Sequence, residues 1–296
     1  MSTASIGLIG IGLMGTAVAR RLLAAGHAVI GYDVDAAKRT RLVELGGVAA
    51  GSVAEVARSC PVVVLCVFST SQVEVVVAGP EGLLGTPGSV SRIAVCTTTC
   101  DPDEIAALAG RVAPHGFSLL EVPISGTSSQ VERGDGVGLV AGDEAAALEA
   151  KPVLDAICPQ RYLLGAVGNG GRAKLAINLI LGINRAAMAE GIAFAERLGL
   201  EPARFLEVAR GSAAASQVMG VKGPLMVSGR FDPPLSRVDQ SLKDFKLMSA
   251  VGRKLGMGLP FANLNVDVLE ACVANGEAIL DNAIVINEIR RRKPVT

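Results

Sequence analysis

Short apolar runs alternate with longer amphipathic stretches through the first half of the chain, and the two periods predict different elements. Residues 5–9, 28–32, 62–67, 93–96, 117–122, 137–141 and 161–164 are rich in Val, Ile and Leu. Such runs match strands buried on both faces of a parallel sheet. Between them, residues 16–25, 72–77, 102–112 and 144–156 carry helix-compatible patterns. Alternation of this kind predicts an α/β domain with a doubly wound, mostly parallel sheet over residues 1–164.

The pattern changes after Gly165. A glycine-rich turn, Val167-Gly168-Asn169-Gly170-Gly171, opens a helical stretch over residues 172–198 that has no interior proline. At about 1.5 Å per residue it would extend roughly 40 Å, long enough for an interdomain spine. The remaining apolar stretches, around Val208 and Leu225 and over residues 242–255, 261–274 and 281–289, read as helices separated by Gly and Pro. Residues 165–296 are therefore expected to form an all-α domain.

The first apolar run ends in Gly7-Leu8-Ile9-Gly10-Ile11-Gly12-Leu13-Met14-Gly15 and passes directly into a helix. A G-x-G-x-x-G turn in this strand–turn–helix context is a dinucleotide fingerprint. Gly10 would make the tight turn, Gly12 would admit a pyrophosphate, and Gly15 would let helix and strand pack closely. The second run ends in Asp33, where a carboxylate can accept hydrogen bonds from an adenosine ribose. Val34 follows rather than arginine, so NAD is expected over NADP.

Composition narrows the remaining classes. The 296 residues are 50% hydrophobic, enough to bury the cores of two domains. The 28 basic and 28 acidic residues balance, and aromatic residues make up 3%, which argues against a nucleic-acid partner. Residues 1–5 have no basic stretch of the kind that opens a secretory signal, and the expected location is the cytoplasm. The apolar residues 175–195 are interrupted by Asn178, Asn184, Arg185 and Glu190, so a buried helix is expected and no membrane span. Six scattered cysteines and two histidines give no metal-ligand spacing, and no metal is expected.

Without a usable histidine pair, Lys174 is the candidate acid/base. It lies in the first turns of the long helix with Asn178 at i+4, and its apolar neighbours would lower its pKa by desolvation. A lysine snorkelling from a helix end is the structural alternative.

The chain resembles the β-hydroxyacid dehydrogenase family, which includes 3-hydroxyisobutyrate dehydrogenase and tartronate semialdehyde reductase. The likeness covers essentially the whole length. It is carried by the N-terminal glycine motif, by EVPISG at residues 121–126, by GAVGNGGRAKLAIN at residues 165–178, and by SLKDFKL at residues 241–247. The resemblance implies an enzyme acting on a short hydroxy acid, with NAD as the hydride carrier and Lys174 exchanging the hydroxyl proton, and the apolar helical domain suggests a homodimer or homotetramer. It implies that Ser125, Gly126 and Thr127 hold the substrate carboxylate and that Asn178 orients the substrate. Gly10, Gly12, Leu13, Met14, Gly15, Asp33, Val67, Phe68, Gln72 and Thr99 then contact the cofactor, as does Lys243 of the K-D motif. Departures from the family pattern are Phe68, Thr127, Gly171 in place of a common glutamine, and Ile177 in place of an asparagine.

Three other readings make different demands on the residues. An oxidative decarboxylase of the 6-phosphogluconate dehydrogenase type would carry an acid where Leu181 stands. Imine reductases usually lack the lysine. A catalytically inactive, NAD-responsive scaffold protein would also tend to lose it.

Overall fold

The β-branched runs become strands whose residues point alternately into two apolar layers. The computed structural model describes residues 5–293, and the chain divides into two compact units after Lys174. In the first unit β1 (Ile6–Ile9), β2 (Val29–Tyr32), β3 (Val48–Ala49), β4 (Val62–Leu65), β5 (Ile93–Cys96) and β6 (Ser118–Glu121) form a six-stranded sheet. Its order is β3-β2-β1-β4-β5-β6, and every pairing is parallel. Val62 and Val64 of β4 join one core layer, while Val63 and Leu65 join the other. Period-two alternation with both faces apolar is the signature of a sheet covered on each side by helices.

Side-chain caps fix where those helices begin. Asp101 accepts the amides of Asp103 and Glu104 and is followed by a proline, so the helix Pro102–Val112 has the span its sequence predicts. Asp35, Ser52 and Ser69 cap the helices Ala36–Glu44, Val53–Ser59 and Thr70–Ala78.

Two expectations need correction in this unit. The later strands do not extend the large sheet: β7 (Ile124–Ser125), β8 (Val137–Val140) and β9 (Gln160–Leu163) form a separate three-stranded sheet. β7 runs antiparallel to β8, and β8 parallel to β9. An antiparallel bridge from Glu121 to Ala141 links the end of β6 to this second sheet. The stretch 144–156 is two helices, Glu144–Glu149 and Lys151–Ile157, broken at Ala150. Pro152 has no N–H to give to a preceding turn, and it stands in the first turn of the second helix, where that N–H would have no acceptor, so a break just before it is favoured.

The long helix runs Asn169–Arg197, 29 residues, or roughly 44 Å at the standard rise. It has the length and apolarity of a membrane span, and 33% of its most apolar window is buried. The expected burial therefore holds along one face, while Ile180 and Phe194 are each 64% exposed. In the second unit it is followed by the helices Pro202–Arg210, Gln217–Ser228, Val238–Lys254, Pro260–Ala274 and Val285–Arg291. Gln217–Ser228 passes through Pro224 rather than stopping at it. Gly223 lets this helix pack tightly on its neighbour, since a Cβ there would stand 2.6 Å from Leu206.

A charged knot lies inside this second unit. Asp281 is fully buried and accepts both oxygens' worth of contacts from Lys222 Nζ, at 2.8 Å each. It also accepts the amides of Leu235, Ser236 and Ala283.

Candidate functional site

Because the strands of the large sheet are parallel, their C-terminal ends all open on one edge, and strand order reverses between β1 and β4. Ligands of doubly wound sheets bind in the crevice at such a reversal. The segments leaving β1, β2, β4, β5 and β6 contain most of the residues singled out by sequence.

The glycine turn after β1 has three different requirements. Gly10 has φ +90°, and a Cβ there would stand 2.5 Å from the Cys66 carbonyl oxygen. A Cβ on Gly15 would overlap the Gly10 carbonyl oxygen. Gly12 differs, because a Cβ there would meet nothing within 4 Å. It is the N-cap of the helix Leu13–Ala24, has no side chain to cap it, and is followed by no acidic residue in the first turn. The first amides and the positive end of the helix dipole thus lie beside open space, as an anion site requires. Leu13 is exposed and Met14 half-buried alongside.

Asp33 stands at the end of β2, and its carboxylate already has backbone duties. Oδ2 accepts the Ile11 amide at 2.7 Å and Oδ1 the Asp35 amide at 3.0 Å. It therefore ties the glycine turn to the second strand. The structure also corrects the surroundings expected from Val34. The helix after Asp35 brings Lys38 Nζ to 3.6 Å from Asp33 Oδ1. Arg39 Nη1 donates to the Asp33 carbonyl at 2.6 Å, with the guanidinium over the Tyr32 ring. Two cations thus stand beside Asp33, from positions five and six residues beyond it.

Beyond β4, the Phe68 amide donates to Gln72 Oε1 at 2.7 Å, and Phe68 is exposed. Thr98, beyond β5, donates to the Val67 carbonyl at 2.9 Å, joining these two segments just before Thr99. Cys66 Sγ lies 3.2 Å from Thr97 Oγ1. Burial pushes the Cys66 thiol up to about 12, so it acts as a packed apolar group rather than a nucleophile.

After β6 the chain reaches the substrate residues suggested by the resemblance. Ser125 ends β7 and Gly126 has φ +144°. Thr127 is already engaged: its amide donates to Gln130 Oε1 at 2.9 Å, while its hydroxyl accepts the Gln130 amide at 3.3 Å. This is a capping box that starts the helix Ser128–Arg133. The expected use of the Thr127 amide on a carboxylate thus competes with an existing bond. Lys174 is buried, and its Nζ donates to the Ile124 carbonyl at 2.7 Å, one residue before Ser125. These two candidates are brought together within the first unit.

Sequence alone gives Glu121 no role, although the residue opens the EVPISG motif. Fully buried at the end of β6, it accepts the amides of Gly168, Gly170 and Gly171 at 2.7, 3.1 and 2.7 Å. Burial pushes its carboxyl up from the usual range, against the pull of those amides and of Arg172.

In the second unit, Asp244 is the organiser that sequence reading missed. It accepts Asn178 Nδ2 at 3.2 Å and pairs with Lys243 Nζ at 3.1 Å. Asn178 Oδ1 is buried and has no hydrogen-bond partner among the described residues. As oriented, Asn178 offers an acceptor in addition to the expected donor. No cluster of His, Cys, Asp and Glu suited to a metal occurs among the described residues.

Comparison with known proteins finds relatives that span most of the chain. A family profile described as the NAD binding domain of 6-phosphogluconate dehydrogenase matches residues 5–165. A second, described as the NAD-binding domain of NADP-dependent 3-hydroxyisobutyrate dehydrogenase, matches residues 168–289. The chain is 33% identical to an L-threonate dehydrogenase of Cupriavidus necator, over 87% of its own length and 86% of the relative's. It is 29% identical to a 2-hydroxy-3-oxopropionate reductase of Escherichia coli, over 96% of each. A crystal structure of 3-hydroxyisobutyrate dehydrogenase from Salmonella typhimurium superposes with a TM-score of 0.86 at 27% identity. That match covers 96% of this chain and 99% of the other.

Proposed function

The chain belongs to the β-hydroxyacid dehydrogenase family, and from that premise we propose that it interconverts a short β-hydroxy acid and its carbonyl form with NAD as redox partner. The observation that carries the reading is the buried Lys174 amino group held beside Ile124 and Ser125, on the helix that follows the dinucleotide unit.

The residues present fit a dinucleotide. Gly12 leaves open space at an uncapped helix N-terminus, and the Asp33 carboxylate stands at the end of the adjoining strand. When bound, the nicotinamide supplies the acceptor or donor of the hydride. As the neutral amine, Lys174 takes the hydroxyl proton in oxidation, and as the ammonium it returns the proton in reduction, while the Ile124 carbonyl fixes the direction in which its Nζ points. The Ser125 hydroxyl and Gly126 amide bind the substrate carboxylate. Asn178 and Lys243 carry over from the family resemblance as substrate-orienting and cofactor-contacting groups.

The NAD preference rests on the negative charge of Asp33, which would repel a ribose 2′-phosphate. Lys38 and Arg39 oppose that repulsion. The exposed apolar side chains of the long helix support a homo-oligomer.

A panel of L-threonate, 3-hydroxyisobutyrate and D-glycerate, assayed at the nicotinamide absorbance with NAD and with NADP, tests the proposal. Turnover of at least one acid with NAD, at a higher kcat/KM than with NADP, is the expected result. Cofactor binding without turnover of any acid or of the corresponding aldehydes would favour the scaffold reading.

A further inference from the structure

Segment 121–124 touches the start of the long helix twice. The Ile124 carbonyl accepts Lys174 Nζ, and three residues earlier the Glu121 carboxylate gathers the amides of Gly168, Gly170 and Gly171. The backbone of Glu121 is itself immobilised, because its amide and carbonyl each bond Ala141 at 2.8 Å. One short stretch of chain therefore fixes both the turn that launches the helix and the ammonium carried by the helix's second turn.

The chemistry of this contact calls for a carboxylate. A helix start leaves its first amides without intrahelical acceptors, and here three are buried against one side chain. An ionised Glu offers two oxygens and about four lone-pair sites, with no N–H of its own. A glutamine would offer one oxygen and turn an NH₂ group toward a backbone N–H. The negative charge is also favoured by the helix dipole, which offsets part of the cost of burying it.

The glycines of the turn are matched to this carboxylate. A Cβ on Gly171 would stand 2.7 Å from Glu121 Oε1. A Cβ on Gly170 would stand 2.8 Å from the Leu139 carbonyl oxygen and 3.1 Å from the Glu121 carboxylate. Gly171 is one of the chain's departures from the family pattern, and the glutamine common there would collide with Glu121.

We propose that Glu121 is a positioning residue that sets the place of the Lys174 amino group by clamping the turn 168–171, and that Gly171 is present because the Glu121 carboxylate occupies the space a side chain would need. The proposal rests on the reading of Lys174 as acid/base, and the test separates the two.

Glu121→Gln and Gly171→Gln are to be compared with the unaltered protein, below their melting temperatures, on whichever panel acid the latter oxidises. Each should lower kcat by on the order of 10²-fold, the scale of a displacement of about 1 Å in a catalytic group, with KM for NAD unchanged. Adding Glu121→Gln to Lys174→Ala should cost less than threefold more, because Glu121 works through the lysine. Glu121→Asp withdraws the carboxylate by about one carbon–carbon bond, roughly 1.5 Å, and should restore part of the kcat lost in Gly171→Gln.

Hydrogen–deuterium exchange supplies a readout independent of turnover. Glu121→Gln should speed exchange of the amides at 168, 170 and 171 at least tenfold, and leave residues 185–195 unchanged. Unchanged exchange at the turn would overturn the proposal. So would full kcat in a folded Glu121→Gln protein, or losses that multiply with Lys174→Ala. Full kcat in Lys174→Ala alone would instead overturn the acid/base reading on which the proposal stands.

Discussion

Replacing Asp33 with Asn removes the charge that the account makes responsible for cofactor choice, at the cost of one local hydrogen bond, from the Asp35 amide. Asn is close to isosteric and can still accept the Ile11 amide through its oxygen, so the bond that ties the glycine turn to β2 is retained, while the bond from the Asp35 amide is given up because an NH₂ group replaces Oδ1. What disappears is the anion beside the ribose. A hydrogen bond to a charged group contributes about 1.5–3 kcal/mol, so NAD should lose roughly 10- to 100-fold in kcat/KM. The NADP side changes in the opposite sense. Two unit charges about 4 Å apart interact by roughly 4 kcal/mol at an effective dielectric constant of 20. Lys38, 3.6 Å from Asp33 Oδ1 and 44% exposed, compensates part of this repulsion in the unaltered protein. Solvent screening takes a further share. A net gain of about 1.5–2 kcal/mol for NADP remains, and the NADP/NAD ratio should rise by about 10²-fold or more. Steady-state kinetics with each cofactor at a saturating panel acid gives the ratio directly. Lys38→Ala in the Asp33→Asn background should then remove most of the NADP gain. A ratio that moves less than threefold, or equal losses with both cofactors, would refute the reasoning by showing that Asp33 serves the turn alone.

Other consequences are open to direct measurement. Gly12→Ala should fold with an unchanged melting temperature, since its Cβ meets nothing within 4 Å, yet bind NAD at least tenfold more weakly by calorimetry. Lys222→Met should lower stability by about 3–5 kcal/mol in urea unfolding, because it removes the ammonium that bonds both oxygens of the buried Asp281 and leaves only the through-space attraction of Arg185. Lys222→Met combined with Asp281→Leu should cost less than the sum of the single changes. Burial pushes the thiol of Cys60 up to about 11 and those of Cys158 and Cys272 to about 12. Iodoacetamide at pH 8 should therefore leave these three unlabelled in the native protein and label them once it unfolds, as mass spectrometry would show.

The parts of the fold that sequence made legible are those with local causes. Helix Pro102–Val112 could be bounded because Asp101 and Pro102 mark its start, and β5 because four buried residues are flanked by polar ones. Helix Ala36–Glu44 escaped notice because Leu42 is its one buried residue, leaving no apolar stripe to read. The separate three-stranded sheet was also illegible, since which strands pair is decided by non-local contacts such as Glu121 with Ala141. The same distinction holds in the site. Asp33 could be placed from its spacing to the glycines, whereas Lys38 and Arg39 reach it only once the chain turns into a helix. Glu121 serves amides 47 to 50 residues away, a relation no local pattern records. The Thr127 capping box did have a local signal, Thr127 followed by Gln130, and could have been found.

The central claim is that Lys174 exchanges the proton of a hydroxy acid. Its most direct test is kcat for Lys174→Ala and Lys174→Arg on an acid that the unaltered protein oxidises, alongside the Kd for NAD. The account predicts a loss of about 10²-fold or more in kcat for both variants, with the NAD Kd unchanged, because a guanidinium stays protonated and cannot accept the alcohol proton. Retention of most of kcat by both variants, with chemistry rate-limiting, would contradict it.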